Sequence, residues 1–447
     1  MKIRVPENVE TIIETLMNNG HDAYAVGGCV RDTILEREPG DWDITTSANP
    51  MEVKALFRRT IDTGIKHGTV TVMLDKEGYE VTTYRIDGEY EDNRHPKEVE
   101  FTKNLVEDLK RRDFTINAMA YNSVKGLVDE FDGIGDIKRK CIRCVGNPID
   151  RFEEDSLRIL RAVRFSAQLG FDIEEETCKA IERKAKNLKN ISAERIRVEL
   201  EKLLVSNQPE KLMIAYETGI TKIVLPEFDQ ICTTSQNNPY HIYSVGGHTI
   251  ESVKAVRGIA ILRLTMLLHD IGKPLTKTTD EQNIDHFYRH EDVSASMAKE
   301  ILKRLKYDNY TIDTVTRLIK WHDTEFRLTP AGMRKAINRV GEDIMELLFE
   351  VKEADMNAKN PLMCVDKKKQ LEEAKRLYLE VIEKSECVSL KTLALNGKDL
   401  IALGYKPGKQ IGETLDYLLQ KVIEEPTLNE KEKLIELALE NKNMKVT

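Results

Sequence analysis

Apolar residues return every three to four positions through VETIIETLMNNG (9–20), which predicts an amphipathic helix stopped at Gly20. AYAVGG (23–28) predicts a strand running into a glycine turn, and VRDTILER (30–37) the helix that follows. DWDIT (41–45), TVTVML (69–74) and YEVTTYR (79–85) read as strands, the last two rich in β-branched residues. Between Arg85 and Val99 lies IDGEYEDNRHPKE, charged and almost free of apolar residues, which predicts a mobile surface loop. From about Asp150 the pattern turns almost wholly helical. One set of helices ends near LPEFDQ (225–230), the polar interval TTSQNNP (233–239) follows, and a histidine-rich helical block spans 241–358. Residues 359–447 are charged and helical, with the turn GYKPGKQIG (404–412) embedded. The expected class is α+β: a mixed α/β N-terminal region and an all-helical remainder.

Length and composition set outer limits. A chain of 447 residues exceeds one compact core and suggests about three domains. No run approaches the roughly 18 apolar residues of a membrane span, so no membrane partner is expected. Seven cysteines in no paired pattern fit a reducing cytoplasm, and the single Cys141/Cys144 pair is not expected to hold zinc. The net charge of −8 does not advertise nucleic acid, yet residues 138–204 hold sixteen Lys/Arg against twelve Asp/Glu. A weakly basic stripe in an acidic chain suits a phosphate backbone, or simply a solvated helical face.

The first chemical signal is GGCVRDTILEREPGDWDI (27–44). On a strand, Asp41 and Asp43 would put both carboxylates on one face, about 6.6 Å apart along the chain. That spacing can bracket two divalent ions roughly 3.5–4 Å apart, as in-line phosphoryl transfer uses. Glu80 could bring a third carboxylate from a neighbouring strand. Gly27 and Gly28 allow a phosphate to approach the backbone, the next helix offers free amides, and Arg31 adds a charged fork.

The second is EEDSLRILRAVRF (153–165). On a single helix Asp155 and Arg158, three apart, would share a face. A carboxylate only accepts and a guanidinium only donates. Together they complement cytosine and adenine, which set an amino donor beside a ring-nitrogen acceptor, and clash with uracil and guanine. The bland alternative is a surface ion pair. Arg161 and Arg164 continue the row but drift around the helix, so Arg164 cannot share that base edge.

Seven motifs resemble the class II tRNA nucleotidyltransferases, the bacterial-type CCA-adding enzymes, and their relatives the bacterial poly(A) polymerases. They are GGCVRD (27–32), DWD (41–43), IDGEYEDNRHPKEVEF (86–101), RRDFTINA (111–118), DEFDG (129–133), EDSLRILRAVRF (154–165) and ERIRVELEKLL (194–204), in family order over about the first 205 residues. The resemblance implies a polymerase-β-like nucleotidyltransferase head at 1–140 and a helical neck and body at 141–235 for base selection and RNA binding. It implies two magnesium ions on Asp41 and Asp43, and Gly28, Arg31 and Arg112 at the nucleotide's phosphates or sugar. Asp113 and Asn117 would lie at the ribose, Asp155 and Arg158 at the base, with Arg161 and Arg164 assisting. Arg195 and Glu199 would brace the base-reading helix. The implied reaction adds CCA to tRNA from CTP and ATP. The loop at 86–98 is retained, which implies addition of A; an A-only enzyme or a poly(A) polymerase stays open.

In the block 241–358, His248, His269, Asp270, His290, His322 and Asp355 mix imidazoles with carboxylates, a set that suits one or two first-row transition metals. The series resembles the HD phosphohydrolase domain, here 236–358. His248, His269, Asp270 and Asp355 match its core, and His290 and His322 the added ligands of more elaborate versions. That implies metal binding and an additional phosphohydrolase activity. An HD phosphohydrolase with an RNA-binding head is the alternative from another class. His241 and His286 fit no slot and are expected at the surface. The tail, 359–447, sets Lys406 and Lys409 around a Pro-Gly helix start, suited to an RNA phosphate.

Overall fold

The computed structural model describes residues 3–88 and 99–444. Contacts divide the chain into two compact units, 1–229 and 230–447.

The N-terminal unit opens with helix α1 (Glu7–Asn18), whose Val9, Ile12, Ile13 and Leu16 are buried as the spacing predicts. Gly20, at φ +87°, supplies the left-handed residue that ends it. A mixed seven-stranded sheet follows. Its strands are β1 (Ala23–Val26), β2 (Ile44–Thr46), β3 (Thr60–Gly64), β4 (Thr69–Leu74), β5 (Glu77–Thr83), and, after the outlying pair β6 (Arg85–Asp87) and β7 (Val99–Phe101), β8 (Ala120–Asn122) and β9 (Gly126–Val128). The spatial order is β3-β4-β5-β2-β1-β8-β9, with β2 parallel to β5 and the other neighbours antiparallel. All four residues of β1 are buried, as befits a central strand. β6 and β7 pair across the base of the charged loop, most of which (89–98) lies outside the described residues.

One expectation fails at β2. The strand starts at Ile44, so Asp41 and Asp43 lie in the segment leading into it. Val26 still donates to the Asp43 carbonyl at 3.0 Å, which carries the ladder to Asp43 and no further. Helix α2 (Gly28–Ile34) leaves β1 through Gly27 at φ +83°. A side chain at Gly27 would be strained and would meet Arg112 Nη1 at 3.0 Å.

Two helices, α3 (Pro148–Glu154) and α4 (Leu157–Leu169), form a corner, and α4 packs on α5 (Ala193–Leu204). The C-terminal unit is helical apart from the short hairpin Thr278–Thr279/Asp285–His286, which the helical pattern did not announce. All seven cysteines are free. No helix among the described residues is long and apolar enough to cross a membrane.

Candidate active site and metal cluster

The sheet brings the three expected carboxylates of the N-terminal unit together. Ile44 pairs with Val81 in the parallel β2–β5 register, so Asp43 and Glu80 sit abreast one residue earlier. Recession from water raises the Asp43 carboxyl above its usual value; Asp41 pushes the same way and Arg112 opposes. Glu80 is raised by the same recession and by the charges of Asp43 and Asp41. A cluster of carboxylates in which Asp43 and Glu80 are held back from ionising suits hard divalent cations such as magnesium, which take oxygen ligands and relieve the repulsion.

Arg112 lies between this cluster and the glycine turn. Its Nη2 is 3.6 Å from the buried Asp108, and its Nε is buried without a hydrogen-bond partner among the described residues. Asp108, also bound by Arg111 at 2.7 Å and Thr45 at 3.0 Å, is a structural anchor that sequence reading missed.

A buried polar chain leads from the glycine turn to the corner. Arg31 donates to Asn117 Oδ1 (2.6 Å), and Asn117 donates to Asp113 (3.1 Å). Arg161 grips Asp113 through Nη2 (2.6 Å) and Nε (2.8 Å). Burial works against the charge on Asp113, but Arg161, Asn117 and Arg158 outweigh it and hold the carboxyl well below the usual range. Arg164 is bound by Glu199 at 2.8 Å.

The Asp155/Arg158 pair does not share a helical face. Asp155 closes α3 in an extended conformation (φ −134°), and Arg158 belongs to the first turn of α4. Buried Ser156, whose Oγ donates to Phe152 O at 2.8 Å, makes the break. The two residues still meet at one corner, where Arg158 N–H donates to Asp155 O at 3.0 Å. Arg195 holds Asp155 Oδ2 at 2.7 Å, and Asp155 Oδ1 accepts from Leu157 N at 3.0 Å. Arg158 donates to Glu154 (2.6 Å) and to the Arg111 carbonyl (2.8 Å). Each Asp155 oxygen keeps a second lone pair. Asp155 is therefore oriented rather than consumed, and Arg158 is held further by the Arg151 carbonyl at 3.2 Å. Arg195 and Glu199 brace the corner in the positions the sequence suggests; Glu154 as the partner of Arg158 was not foreseen.

In the C-terminal unit all six expected metal-site residues converge. His248 and His269 face Asp270 Oδ2 at 3.4 and 3.2 Å, and Asp355 Oδ1 at 3.0 and 3.7 Å. His290 and His322 face Asp270 Oδ1 at 3.2 and 3.9 Å. Asp270 thus bridges two imidazole pairs. Every Nδ1 lies against a carbonyl: Ala358, Met266, Phe287 and Ile319 at 3.1, 2.7, 2.8 and 2.6 Å for His248, His269, His290 and His322. A carbonyl only accepts, so each Nδ1 carries a hydrogen and each Nε2 faces inward, offering a lone pair whenever its ring is neutral. The facing Nε2 atoms are 3.2 Å apart for His248–His269 and 3.3 Å apart for His290–His322. Burial disfavours charge on the imidazoles, yet Asp270 and Asp355 lift His269 to about 9, while burial with His269 and His290 pushes His322 down to about 3. Inward lone pairs, a bridging carboxylate and outward anchors fit transition-metal coordination.

A cavity of about 320 Å³ opens on this cluster, lined in part by His241, Lys273 and Lys359. His241 corrects the sequence reading. It packs edge-on against His248, ring centres 5.2 Å apart, and burial with Lys273 drives its imidazole down to about 2. Lys273 is 2.7 Å from Asp270, and Lys359 donates to Asp355 at 2.5 Å. Their spacings, three and four residues from their partners on helical segments, were the available signal. His286 pairs with Asp280 at 2.8 Å at the cavity's edge. Lys406 and Lys409 are exposed, the latter 3.6 Å from Glu413 at the start of the helix Lys409–Glu424.

The fold and the carboxylate cluster define a nucleotidyltransferase. The family model of the poly A polymerase head domain matches residues 23–143, and that of tRNA nucleotidyltransferase domain 2 matches 275–438. The chain is 36% identical to the CCA-adding enzyme of Levilactobacillus brevis over 96% of its own length and 98% of that protein. It is 35% identical to that of Bacillus pumilus over 95% and 94%. The solved Bacillus stearothermophilus CCA-adding enzyme in complex with CTP is 31% identical, covers 99% of both chains and superposes at a TM-score of 0.73. The Thermotoga maritima enzyme complexed with tRNA, 22% identical at a TM-score of 0.58, shares the fold. The chain belongs to the CCA-adding enzyme family.

Proposed function

We propose that this chain completes tRNA 3′ ends by adding C, C and A in turn from CTP and ATP, with no nucleic-acid template. The observation that carries the reading is the single polar chain joining the glycine turn to the α3–α4 corner, through Arg31, Asn117, Asp113 and Arg161. It sets a phosphate end and a base end in one site. Asp41 and Asp43, with Glu80 abreast, hold the catalytic cations at the acid cluster. Magnesium there supplies the positive charge that activates the tRNA 3′-hydroxyl and steadies the departing pyrophosphate. Gly27 and Gly28 admit the triphosphate to the backbone, and Arg31 and Arg112 donate to its oxygens. Asp113 and Asn117 face the ribose. Asp155 accepts from the exocyclic amine of C or A, and Arg158 donates to the adjacent ring nitrogen. Residues 1–140 would carry the transfer chemistry and 141–235 the base choice. Residues 359–447, with Lys406 and Lys409, would contribute salt-sensitive RNA contact that ignores sequence, as befits an enzyme serving every tRNA.

The test offers tRNA lacking CCA, and tRNA ending in CC, with labelled CTP or ATP. Incorporation of C into the first and A into the second is expected; A alone would identify an A-adding enzyme, and long A tails a poly(A) polymerase. Asp155→Ala should raise misincorporation of U and G relative to C and A; unchanged selectivity would remove Asp155 from base reading.

A second reading applies to residues 236–358 and rests on the four inward-facing Nε2 atoms around a bridging Asp270. This cluster binds one or two divalent transition metals and supports phosphoester hydrolysis, with Lys273 and Lys359 neutralising substrate charge. Release of inorganic phosphate from phosphomonoesters after loading with manganese, cobalt, nickel or zinc tests it.

A further inference from the structure

Phe165 is uncharged and 4% exposed, a core residue by every simple measure. Its surroundings are not those of a core residue. Three guanidinium carbons crowd its ring: Arg164 at 3.6 Å, Arg31 at 4.9 Å and Arg161 at 5.3 Å from the centroid. Phe114 closes the remaining side edge-on, 5.8 Å away at 82°. Arg31 comes from the helix after the glycine turn, and Arg161 and Arg164 come from α4. Phe165 is itself on α4, so its ring reaches from the helix that carries Arg158 to the helix after the glycine turn.

Like charges gathered this closely repel, and one carboxylate answers each guanidinium. Asp113 takes Arg161, Glu199 takes Arg164, and Asp32 takes Arg31 through Nε and Nη2, each at 2.9 Å. The negative face of an aromatic ring adds to this by attracting guanidinium groups lying over it. It does so without using their N–H edges. Arg31 has five N–H donors. Two go to Asp32 and one to Asn117, which leaves two for phosphate oxygens. A carboxylate in place of the ring would consume those donors, and an aliphatic side chain would fill the space but hold nothing.

We propose that Phe165 is a positioning residue for nucleotidyl transfer. Its ring fixes the planes of Arg31 and Arg161, so that the two remaining N–H groups of Arg31 meet the nucleotide's phosphates while Arg161 keeps its grip on Asp113. It also registers α4 against the glycine-turn helix. The inference rests on the proposed nucleotidyl transfer.

The effect falls on what all nucleotides share. Phe165→Leu keeps the bulk and removes the π face; it should raise KM for CTP and ATP alike by about tenfold, with kcat changed less than about twofold. Choice of C and A over U and G should not change, in contrast to Asp155→Ala. Phe165→Tyr, which keeps the face, should restore KM. Replacing Phe165 with increasingly fluorinated phenylalanines drains the ring's negative face at nearly constant shape, so KM should climb with fluorine count while the thermal midpoint stays put. A flat KM across that series, or KM in the Leu variant equal to wild type, overturns the proposal even if the Leu variant folds poorly. Wild-type protein that adds no nucleotide at all overturns the transfer reading itself, and the role of Phe165 with it.

Discussion

Asp43 holds its carboxyl at the expense of the fold. Its carboxyl and that of Glu80 hold protons more tightly in the folded chain than in the unfolded one, because of recession from water and mutual repulsion. A raised value of this kind means that stability is greatest below the unfolded carboxyl's value and falls as pH rises through the folded one. Without added magnesium, Asp43→Asn should therefore be more stable than wild type at pH 7, by only about 0.5 kcal/mol, since the residue recedes from bulk water yet keeps an exposed surface that screens its charge. The difference should vanish below about pH 3, under the unfolded carboxyl's value, where both states are protonated. Urea titrations at the two pH values check this, and a destabilised Asn variant at pH 7 would contradict it. Residue identity made this site legible: an Asp-Trp-Asp after two glycines is rarely decorative. His241 was not legible, because its loop is held by Asn360, which donates to the carbonyls of Tyr240 (2.9 Å) and Pro239 (3.2 Å) from far along the chain. No local pattern encodes that contact.

At the scale of elements, period and β-branching disclosed β1, β4 and β5, while the α3–α4 corner stayed hidden. EEDSLRILRAVRF has helical spacing throughout, and the break depends on one buried serine bonding back to Phe152 and one aspartate in an extended conformation. Side-chain hydrogen bonds of this kind compete locally with the helix and override periodicity. The corner depends on α5, whose Arg195 and Glu199 reach Asp155 and Arg164. Removing Glu199 leaves a buried guanidinium with a neutral partner, Gln168 at 2.9 Å, but without its counter-ion. Glu199→Ala should cost about 3 kcal/mol in a urea melt followed at several wavelengths. Loss below about 1 kcal/mol would mean that water or a neighbour already satisfies Arg164.

At the scale of the molecule, the carboxylate cluster and the imidazole cluster belong to separate compact units. Separate variants should therefore separate the activities. Asp41→Ala should abolish nucleotide addition, by about a thousandfold or more, and leave metal uptake by the C-terminal unit intact. Asp270→Ala, which removes the bridge between the imidazole pairs, should abolish that uptake and spare addition of CTP to tRNA. Elemental analysis after dialysis, beside a gel assay of incorporation, reads both at once; joint loss in either variant would contradict two independent centres.

The four Nδ1 anchors carry a kinetic and mechanical consequence. An imidazole tethered by its rear hydrogen to a fixed carbonyl has little freedom to swing aside, so an ion taken up by the proposed centre would find its basin already shaped. Loading then resembles docking into a mould rather than the cooperative collapse of a small zinc-folded module. A chelator should lower the melting temperature of the C-terminal unit yet leave its far-ultraviolet circular dichroism unaltered at room temperature. Ions of different preferred geometry should exchange through the same unaltered helical scaffold.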